Sequence, residues 1–471
     1  MEDHLLRIYH LLPARLRSVA ASLRGGYLRA WRYGPETQRL VEEARERERW
    51  SATQWNAWQE QQLGYLLHRA ATRVPYYREY WRQRRLAGDR VSSEILENWP
   101  ILEKEELRRN CRGFVADDCN VRSMFQEQTS GTTGKSLQLW WSRKTVRKWY
   151  ALFEERWRQW YGVSSQDRWA ILGGQLITPV RQRKPPFWVW NSALNQLYMS
   201  SHHLAPDLIP SYLEALERYR IRYIWGYTSA LYSLAREILR LGLKDVRMVV
   251  AITNAEPLLD HQRQAIRDAF NCPVRETYGM AEIVAAAGEC EHDCLHQWPE
   301  VGITELLSDD GRIKPTGTGD LVCTGLLNVD MPLIRYRVGD RATIPTTAHQ
   351  CGCARGLPVM TSIEGRVDDI LITADGRRIG RLDTVFKGRL PIREAQIIQE
   401  ALDHVRVRYV KAPGCTADAT QSIIKRLRDH VGPMKVLVEE VDFIPRAANG
   451  KFRSVICNLS PQELAKLQVT Q

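Results

Sequence analysis

The 471-residue sequence predicts an α/β protein, with a large domain of parallel sheets covered by helices and a small α+β C-terminal domain. Three observations predict this architecture. The chain is longer than the ~250 to 300 residues at which a single hydrophobic core stops growing, so at least two domains are expected. Between residues 208 and 285, helix patterns alternate with short apolar strand patterns. After Gly365 the pattern changes to a strand and helix mixture of common domain size.

The N-terminal region predicts helices, because apolar residues recur at helical spacing with arginines between them over residues 4–50. We interpret residues 1–60 as a basic helical extension. Packing of this extension on the main domain is the favoured interpretation, and contact with an anionic membrane through residues 4–34 is the alternative. A further helix with a tryptophan stripe is predicted within 140–169, where core packing is the favoured use.

The segment 208–285 predicts a parallel sheet. Three helix patterns are each followed by a strand pattern: IPSYLEALERYR by IRYIWGY, SALYSLAREILRLG by VRMVVAITNA, and DHQRQAIRDAF by PVRETYG. Such alternation implies parallel strands with crossover helices, and ligands bind beyond the carboxyl ends of those strands. We therefore assign a large domain to residues 61–365 and a small mobile domain to residues 366–471.

Composition and charge narrow the class of protein. Hydrophobic residues make up 44% and charged residues 26% of the chain, which is typical of a soluble globular protein. No apolar run approaches the ~20 residues of a membrane-spanning helix, and the N-terminus lacks the order of a signal peptide. The net charge of +12 comes without a zinc-finger pair or an RNP motif, so we expect no nucleic-acid binding. A cytoplasmic enzyme with mostly reduced cysteines, a monomer or homodimer, is expected.

The segment QTSGTTGKSL, from Gln128 to Leu137, has the chemistry of a phosphate-binding loop. It is not a Walker P-loop, because the residue five before Gly134 is Thr129 where that motif has glycine. Its hydroxyls, the backbone N–H groups around its glycines and the cation Lys135 nevertheless suit a polyphosphate. Taken alone, the segment could equally be a polar hairpin turn.

Five motifs follow one another along the chain: TSGTTGKS, YGMAE (278–282), YRVGD (336–340), GRVDD (365–369) and RAANGK (446–451). In this order they closely resemble the motifs of the adenylate-forming superfamily of acyl-CoA ligases and adenylation domains. The resemblance extends from about residue 60 to about residue 457. Within the superfamily the chain looks most like the phenylacetate-CoA ligase group, and there like the CapK-like branch named for capsular polysaccharide biosynthesis proteins.

The resemblance implies a two-step reaction. A carboxylate attacks the α-phosphate of ATP to give an acyl-adenylate and pyrophosphate, and a thiol, usually coenzyme A, then displaces AMP. ATP, Mg²⁺ and coenzyme A are the implied cofactors. Two alternatives stay open: an enzyme of the same fold that transfers AMP or passes the acyl group to an amine or carrier protein, and a non-catalytic scaffold in polysaccharide biosynthesis. Retention of Glu282, Asp340 and Lys451 argues against the scaffold.

The resemblance also implies roles for individual residues. Lys451, Glu282 and Lys135 would be catalytic: Lys451 would bridge the carboxylate and the α-phosphate, and Glu282 would be the Mg²⁺ ligand. Asp340 would bind the ribose hydroxyls, and Asp368 would be the hinge of the small domain. The expected nucleotide-binding residues are Thr129, Ser130, Gly131, Thr132, Thr133, Gly134, Thr277, Tyr278, Gly279, Asp340 and Arg366. The expected acid pocket comprises Trp225, Tyr227, Asn254, Ala255 and Glu256, where the two rings suit a flat acid or could simply be core.

Cysteines and histidines cluster in two predicted loops: Cys290, His292, Cys294 and His296 in one, and His349, Cys351 and Cys353 in the other. Thiolate and imidazole are the ligands that zinc selects, and four of them close a tetrahedral structural site. The resemblance to the CapK-like branch implies that a similar arrangement binds a zinc ion. It favours Cys290, His296, Cys351 and Cys353 as the ligands, with Cys294 in reserve. Unpaired reduced cysteines are the alternative.

Overall fold

A computed structural model gives the fold of the chain. It describes residues 2–128, 137–179, 181–205, 207–243, 246–256, 258, 260–308, 310–347, 351–364, 371–373, 378–379, 382, 385, 392–411, 417–432, 434–445, 455–460 and 463. Several predicted residues lie outside the described ones: Thr129, Ser130, Gly131, Thr132, Thr133, Gly134, Lys135, His349, Arg366, Asp368 and Lys451.

Helices are concentrated in the first third of the chain and between the strands of the central sheet. The α-helices of the described residues are α1 (Glu2–Leu11), α2 (Ala14–Arg32), α3 (Thr37–Arg47), α4 (Ala52–Arg73), α5 (Pro75–Leu86), α6 (Lys104–Arg109), α7 (Arg143–Trp157), α8 (Ile209–Arg218), α9 (Thr228–Arg240), α10 (Asp260–Phe270) and α11 (Ala417–Val431). Short 3₁₀ helices span Leu96–Asn98, Cys111–Phe114, Val121–Ser123, Gln159–Tyr161, Ser192–Leu194 and Ser201–His203.

Strands follow from residue 125 onward. They are β1 (Phe125–Gln128), β2 (Gln138–Trp141), β3 (Trp169–Gly173), β4 (Trp188–Asn191), β5 (Gln196–Ser200), β6 (Tyr223–Tyr227), β7 (Ala251–Asn254), β8 (Val274–Gly279), β9 (Ala286–Glu289), β10 (Leu295–Gln297), β11 (Gly302–Leu307), β12 (Ile313–Lys314), β13 (Gly317–Gly325), β14 (Tyr336–Ile344), β15 (Val359–Met360), β16 (Ser362–Glu364), β17 (Leu371–Ile372), β18 (Arg378–Ile379), β19 (Ile392–Ala401), β20 (His404–Lys411), β21 (Lys435–Glu440) and β22 (Val455–Cys457).

The central sheet has nine strands in the order β15-β10-β9-β8-β7-β6-β3-β5-β4. Strands β5, β3, β6, β7 and β8 are parallel to one another, and helices α8, α9 and α10 each precede the next of these strands along the chain. Both the parallel pairing and the crossover helices predicted for 208–285 are confirmed. The remaining strands pair antiparallel and extend the sheet at both edges.

The two faces of this sheet bury separate cores. On β6, Tyr223 and Trp225 belong to one core and Ile224 to the other, as the alternation of side chains along a strand requires. Helices α8, α9 and α10 cover the second face, and α7 covers the first with the predicted aromatic stripe. The rings of Trp149 and Trp157 on α7 meet at 5.5 Å, edge to face, so the stripe is core packing as expected.

A second sheet was not predicted. It is antiparallel, with the order β12-β11-β13-β14-β16, and it follows the central sheet along the chain. The predicted α/β class of the large domain is confirmed, and this antiparallel sheet is an addition to it. The sequence of strand β14, YRVGDRATI, gives a partial signal for such a strand. Buried residues alternate with less buried ones in part of it, as expected when one face of an antiparallel strand packs and the other is solvated.

The C-terminal region forms a separate four-stranded sheet, β21-β20-β19-β22, with helix α11 packed beside it. Ile397 and Val407 of the sheet and Ile423 and Leu427 of α11 share one buried core. The predicted α+β character is confirmed: the helix pattern ATQSIIKRLRDHVG lies on α11, and KVLVEE is strand β21.

The N-terminal helices pack on the main domain. Ser18 and Ser22 on one face of α2 accept hydrogen bonds from the backbone N–H groups of Trp190 and Ser192, at 3.2 and 3.0 Å. A Cβ on Gly25 would lie 2.0 Å from Asn191 Oδ1, so a larger residue at position 25 would displace the Asn191 side chain where α2 approaches β4. The favoured interpretation of the N-terminal extension, packing on the main domain, is thus confirmed.

Candidate active site

A cavity of about 930 Å³ opens where the parallel strands β6, β7 and β8 end. Parallel α/β sheets bind ligands at this edge because the connections to the helices diverge there. The cavity lining contains every described residue predicted for the acid pocket and the nucleotide, namely Trp225, Tyr227, Asn254, Ala255, Glu256, Thr277, Tyr278, Gly279, Glu282 and Asp340. The motifs YGMAE and YRVGD, which lie far apart in the sequence, thus contribute to one site.

Glu282 is almost fully buried, and its carboxylate is held by two donors. Tyr336 donates its hydroxyl to Glu282 Oε1 at 3.0 Å, and Lys104 Nζ lies 3.2 Å from the same oxygen. Lys104, the first residue of α6, was missed by sequence reasoning, since nothing in the sequence around it indicates a contact with a residue 178 positions away. The geometry places the Glu282 carboxyl group beside the Lys104 ammonium on the cavity wall.

Asp340 and Tyr278 bring the two large sheets together at the site. Tyr278, at the end of β8, donates its hydroxyl to Asp340 Oδ2 on β14 at 2.8 Å. Thr277 donates to the carbonyl of Thr253 on β7 at 2.7 Å, which fixes its hydroxyl at the neighbouring strand end. Hydrogen bonding of this kind orients a carboxylate and a hydroxyl before a ligand arrives.

The proposed acid end of the cavity is aromatic. Trp225 stacks on Phe153 of α7 with ring centroids 4.9 Å apart and an interplanar angle of 13°. Only 3% of the Trp225 surface is exposed, so the ring belongs to the core and also lines the cavity. Asn254 Oδ1 is buried at the same wall and has no hydrogen-bond partner within the described part of the chain, which leaves an acceptor for a ligand.

Two residues of the site adopt the left-handed backbone conformation although neither is glycine. Ala255 has φ +68° directly after β7, and Ile283 has φ +50° directly after Glu282. For a β-branched residue such as Ile283 this region is a genuine outlier, and it costs on the order of 1 to 3 kcal/mol. Strain of this kind concentrates where a backbone must aim a side chain, here the Glu282 carboxylate.

Glu276 is a second cavity residue that sequence reasoning missed. Burial raises the pKa of its carboxyl to about 7, the negative charge of Glu289 adds to the increase, and Arg263 opposes it. Arg263 is committed to Glu289, to which it donates two hydrogen bonds at 2.7 and 3.0 Å. Glu276 directly precedes Thr277 in VRETYG. An ionisable residue near the end of a predicted strand was the sequence signal that could have identified it.

We expect Glu276→Gln to change the pH dependence of stability. Because the folded pKa lies above the unfolded value, the folded protein holds a proton between pH about 4.5 and about 7 that the unfolded chain has released. Stability from this group is complete below that window and is lost as pH rises through it. The amide stays neutral, so the variant should be more stable than wild type above pH 7 by on the order of 2 kcal/mol.

Urea unfolding at several pH values measures this effect, with Glu217→Gln on the exposed face of α8 as the matched control. The control should reproduce the wild-type profile. A Glu276→Gln profile parallel to wild type between pH 5 and 8 would contradict the raised pKa.

Four side chains of metal-binding type meet near the turn of the β9–β10 hairpin. The ligand atoms of Cys290, His296, Cys351 and Cys353 all lie within 4.8 Å of one another. The sulfurs of Cys290 and Cys351 are 3.4 Å apart, close to the roughly 3.8 Å that two thiolates on a tetrahedral zinc with ~2.3 Å bonds would show. His296 Nδ1 faces the carbonyl of Leu357 at 3.2 Å, a contact that leaves Nε2 for a metal. The donor set fits zinc.

The other predicted candidates lie around this cluster. Cys294, the reserve ligand, interacts with Cys351 and Cys290 without belonging to the set of four. The backbone N–H of His292 donates to Cys290 Sγ at 3.4 Å, so this histidine contributes its main chain to the loop. Strand β15, which follows the Cys351–Cys353 loop, pairs with β10, and this pairing brings the two loops together.

Comparisons with known proteins agree with the fold. Residues 371–458 match the family model described as the CapK C-terminal domain. Protein CapK of Staphylococcus aureus is 26% identical over 394 residues, 82% of this chain and 85% of that protein. The phenylacetate-coenzyme A ligase of Pseudomonas putida is 25% identical over 328 residues, 66% of this chain and 70% of the relative.

Among solved structures, a 2-hydroxyisobutyryl-CoA ligase in complex with 2-HIB-AMP and CoA in the thioesterification state has the same fold. The TM-score is 0.56 at 19% sequence identity, with 90% of this chain and 94% of that chain covered. The chain therefore has the fold of this acyl-CoA ligase, and its sequence is similar to those of phenylacetate-coenzyme A ligases. Among these similarities, the C-terminal residues 371–458 match the CapK model, and Protein CapK is similar over most of the chain.

Proposed function

We propose that the protein activates a carboxylic acid with ATP as an acyl-adenylate, releases pyrophosphate, and transfers the acyl group to a thiol, most simply coenzyme A. The observation that carries this proposal is the convergence of Glu282, Asp340 and Tyr278 on one cavity at the ends of the parallel strands. The relatives named as phenylacetate-coenzyme A ligases support the same chemistry. Adenylate formation needs little covalent chemistry from the protein and depends on positioning and charge neutralisation.

Each described residue has a part in this reaction. Asp340, oriented by Tyr278, would accept the ribose hydroxyls. Glu282, aimed by Tyr336, would hold Mg²⁺, and its carboxylate is the hard oxygen ligand that this ion prefers. When bound, Mg²⁺ would neutralise phosphate charge during departure of pyrophosphate. The aromatic wall of α7 and Trp225 would exclude water from the adenylate.

The phosphate loop and the small-domain lysine complete the proposal from the sequence. Glu127 and Gln128 line the cavity, and in the sequence they directly precede the segment that carries Ser130, Thr132, Thr133 and Lys135. Lys451 would bridge the acid and the α-phosphate, Arg366 would reach the ribose, and Asp368 would be the hinge about which the domain 366–471 turns.

A screen of carboxylic acids for ATP-dependent pyrophosphate release tests the proposal. We expect release with a subset of acids, loss of release in Lys451→Ala, and a raised KM for ATP in Asp340→Ala. Reactions with hydroxylamine and with coenzyme A are then compared. A product with hydroxylamine alone indicates an adenylate that any nucleophile can intercept, and a product with coenzyme A indicates thioester formation. No release with any acid would instead favour a non-catalytic scaffold in polysaccharide biosynthesis. Transfer to an amine or carrier protein would appear as release without a coenzyme A product.

We further propose that Cys290, His296, Cys351 and Cys353 hold a structural zinc. All four positions would be protein ligands, so no open position is left for activating water. We expect about one zinc per chain by elemental analysis, loss of zinc in Cys353→Ser, and a lower melting temperature for that variant. Cys119→Ser, a half-buried thiol on another part of the surface, is the matched control and should keep its zinc. Metal-free protein of unchanged melting temperature would rule the site out.

A cytoplasmic location suits this chemistry, because ATP and coenzyme A are supplied there. None of the helices in the described residues is long and apolar enough to span a bilayer. Peripheral contact with the inner face of a membrane is part of the proposal and would involve the N-terminal residues 4–34. Neither a nucleic-acid partner nor an oligomer larger than a dimer is required.

A further inference from the structure

Helix α2 has three faces with different surroundings. Ser18, Ser22 and Gly25 face strand β4 and its following turn, as described above. Ala21 and Leu28, on a second face, line the active-site cavity. The third face is largely exposed, and Tyr27 at its C-terminal end stacks on Phe125 of β1 with ring centroids 6.5 Å apart. One helix therefore separates the cavity from solvent.

The exposed face of α2, together with the adjoining face of α1, is apolar. Fifteen large hydrophobic side chains of the described residues are exposed, and six of them lie on these two helices. Leu11 is 84% and Leu23 is 74% exposed, which is far beyond partial burial at a packed surface. The residues of this apolar stripe are Ile8, Leu11, Leu16, Val19, Leu23 and Tyr27.

The spacing shows that the stripe is a single face. Leu16, Val19, Leu23 and Tyr27 follow one another at intervals of three, four and four residues, which places them on one side of an α-helix. A continuous apolar stripe on a helix that already buries its other faces marks an interaction surface. Scattered single leucines would not.

After Glu2 and Asp3 at the start of α1, the charged side chains of the two helices are all cationic. Residues 4–34 contain six arginines and no aspartate or glutamate. Arg7, Arg15 and Arg24 are exposed, and Arg24 lies over the ring of Tyr27 at 4.9 Å while it also lines the cavity. An apolar stripe with arginines at its margins is the pattern of a helix that lies in the interface of an anionic bilayer.

We propose that α1 and α2 dock in the plane of an anionic lipid surface through the apolar stripe. The arginines would contact lipid phosphates, and the leucines would enter the boundary between headgroups and acyl chains. Because the same helix lines the cavity, docking would bring the Arg24 side of the cavity next to the headgroup layer. The surface chemistry favours a bilayer over an acidic protein, since apart from the arginines the stripe offers only the Tyr27 hydroxyl for hydrogen bonding.

Vesicle sedimentation with the full-length protein tests the proposal. Sucrose-loaded vesicles of phosphatidylcholine alone are compared with vesicles that also contain phosphatidylglycerol. We expect binding to the anionic vesicles, little binding to the neutral ones, and loss of binding at high salt, because exposed charges are screened. The double variant Leu16→Glu/Leu23→Glu should weaken the vesicle partition by more than about tenfold.

The substituted side chains already face water, so the double variant should fold, and its melting temperature checks this. Leu86→Glu, a leucine on α5 that is 70% exposed, is the matched control and should bind like wild type. Equal binding to both vesicle types, or an unimpaired double variant, overturns the proposal. So does a wild-type dimer that the double variant converts to monomer without effect on vesicles, which would assign the stripe to a second copy of this chain.

Discussion

Arg156→Leu should lower the free energy of unfolding by about 3–5 kcal/mol, because it leaves two buried carboxylates without their main cation. Arg156 is completely buried on α7 and donates to both oxygens of Glu300, at 2.7 and 2.9 Å. It also reaches Glu48 at 3.3 Å. Burial raises the pKa of Glu48 and Arg156 opposes that increase, so the substitution removes the main cation that stabilises the charged form of this carboxyl.

Chemical denaturation of the purified variant measures the loss. Arg39→Leu, which removes an exposed ion pair with Glu43 on α3, is the matched control and should change stability by less than about 1 kcal/mol. Replacing both partners, as in Arg156→Leu/Glu300→Leu, should be milder than the single change, because no carboxylate of residue 300 is then left uncompensated. A single variant as stable as the control would mean that Arg47 and Arg355, which also contact these carboxylates, are sufficient.

The Arg156 network also explains how the N-terminal extension is fastened. Glu48 ends α3, and Trp160 donates its indole N–H to the same carboxylate at 2.9 Å. Arg45 on α3 pairs with Glu155 of α7 through two hydrogen bonds. These contacts join α3 to the aromatic helix of the active site over more than a hundred residues of sequence. Helical periodicity predicted both helices but could not predict that they pack together.

Prediction from the sequence succeeded where one period dominated. The helices between 208 and 270 alternate cleanly with apolar strands, so their type and parallel pairing followed from the pattern. The second sheet was missed because β13 contains three glycines and two threonines, and neither β11 nor β13 alternates regularly between buried and exposed residues. Conformation there depends on pairing with distant strands, which a single sequence does not contain.

The candidate site was predicted through motifs, and its omissions are residues outside them. Glu282 and Asp340 each lie in a recognisable motif, whereas Lys104 contacts Glu282 from helix α6, which carries no motif. Glu276 lies beside a motif, but its raised pKa comes from burial and from the negative charge of Glu289 on the neighbouring strand β9. The cavity wall formed by α1 and α2 is likewise a tertiary contact. The motif residues of the candidate site could therefore be predicted from local sequence. The charged residues that lie next to them could be identified only from the three-dimensional structure.

Glu282→Gln should reduce ATP-dependent pyrophosphate release by about 10²-fold or more while leaving the fold intact. The amide is nearly isosteric, and its oxygen can still accept the hydroxyl of Tyr336. What the variant loses is the negative charge, and a neutral amide is a poor ligand for Mg²⁺. Pyrophosphate release measured at saturating acid and ATP, with the melting temperature alongside, separates this loss from unfolding.

Two comparisons distinguish a metal ligand from a residue that merely neutralises Lys104. If Glu282 holds Mg²⁺, added Mg²⁺ should recover part of the Glu282→Gln activity, since weaker binding is offset by concentration. Tyr336→Phe should lose far less activity, because it removes only the hydroxyl that orients the carboxylate. If Lys104→Met restored activity to Glu282→Gln, the essential feature would be charge balance between residues 104 and 282. That result would remove the carboxylate from the reaction and, with it, the main structural support for adenylate formation.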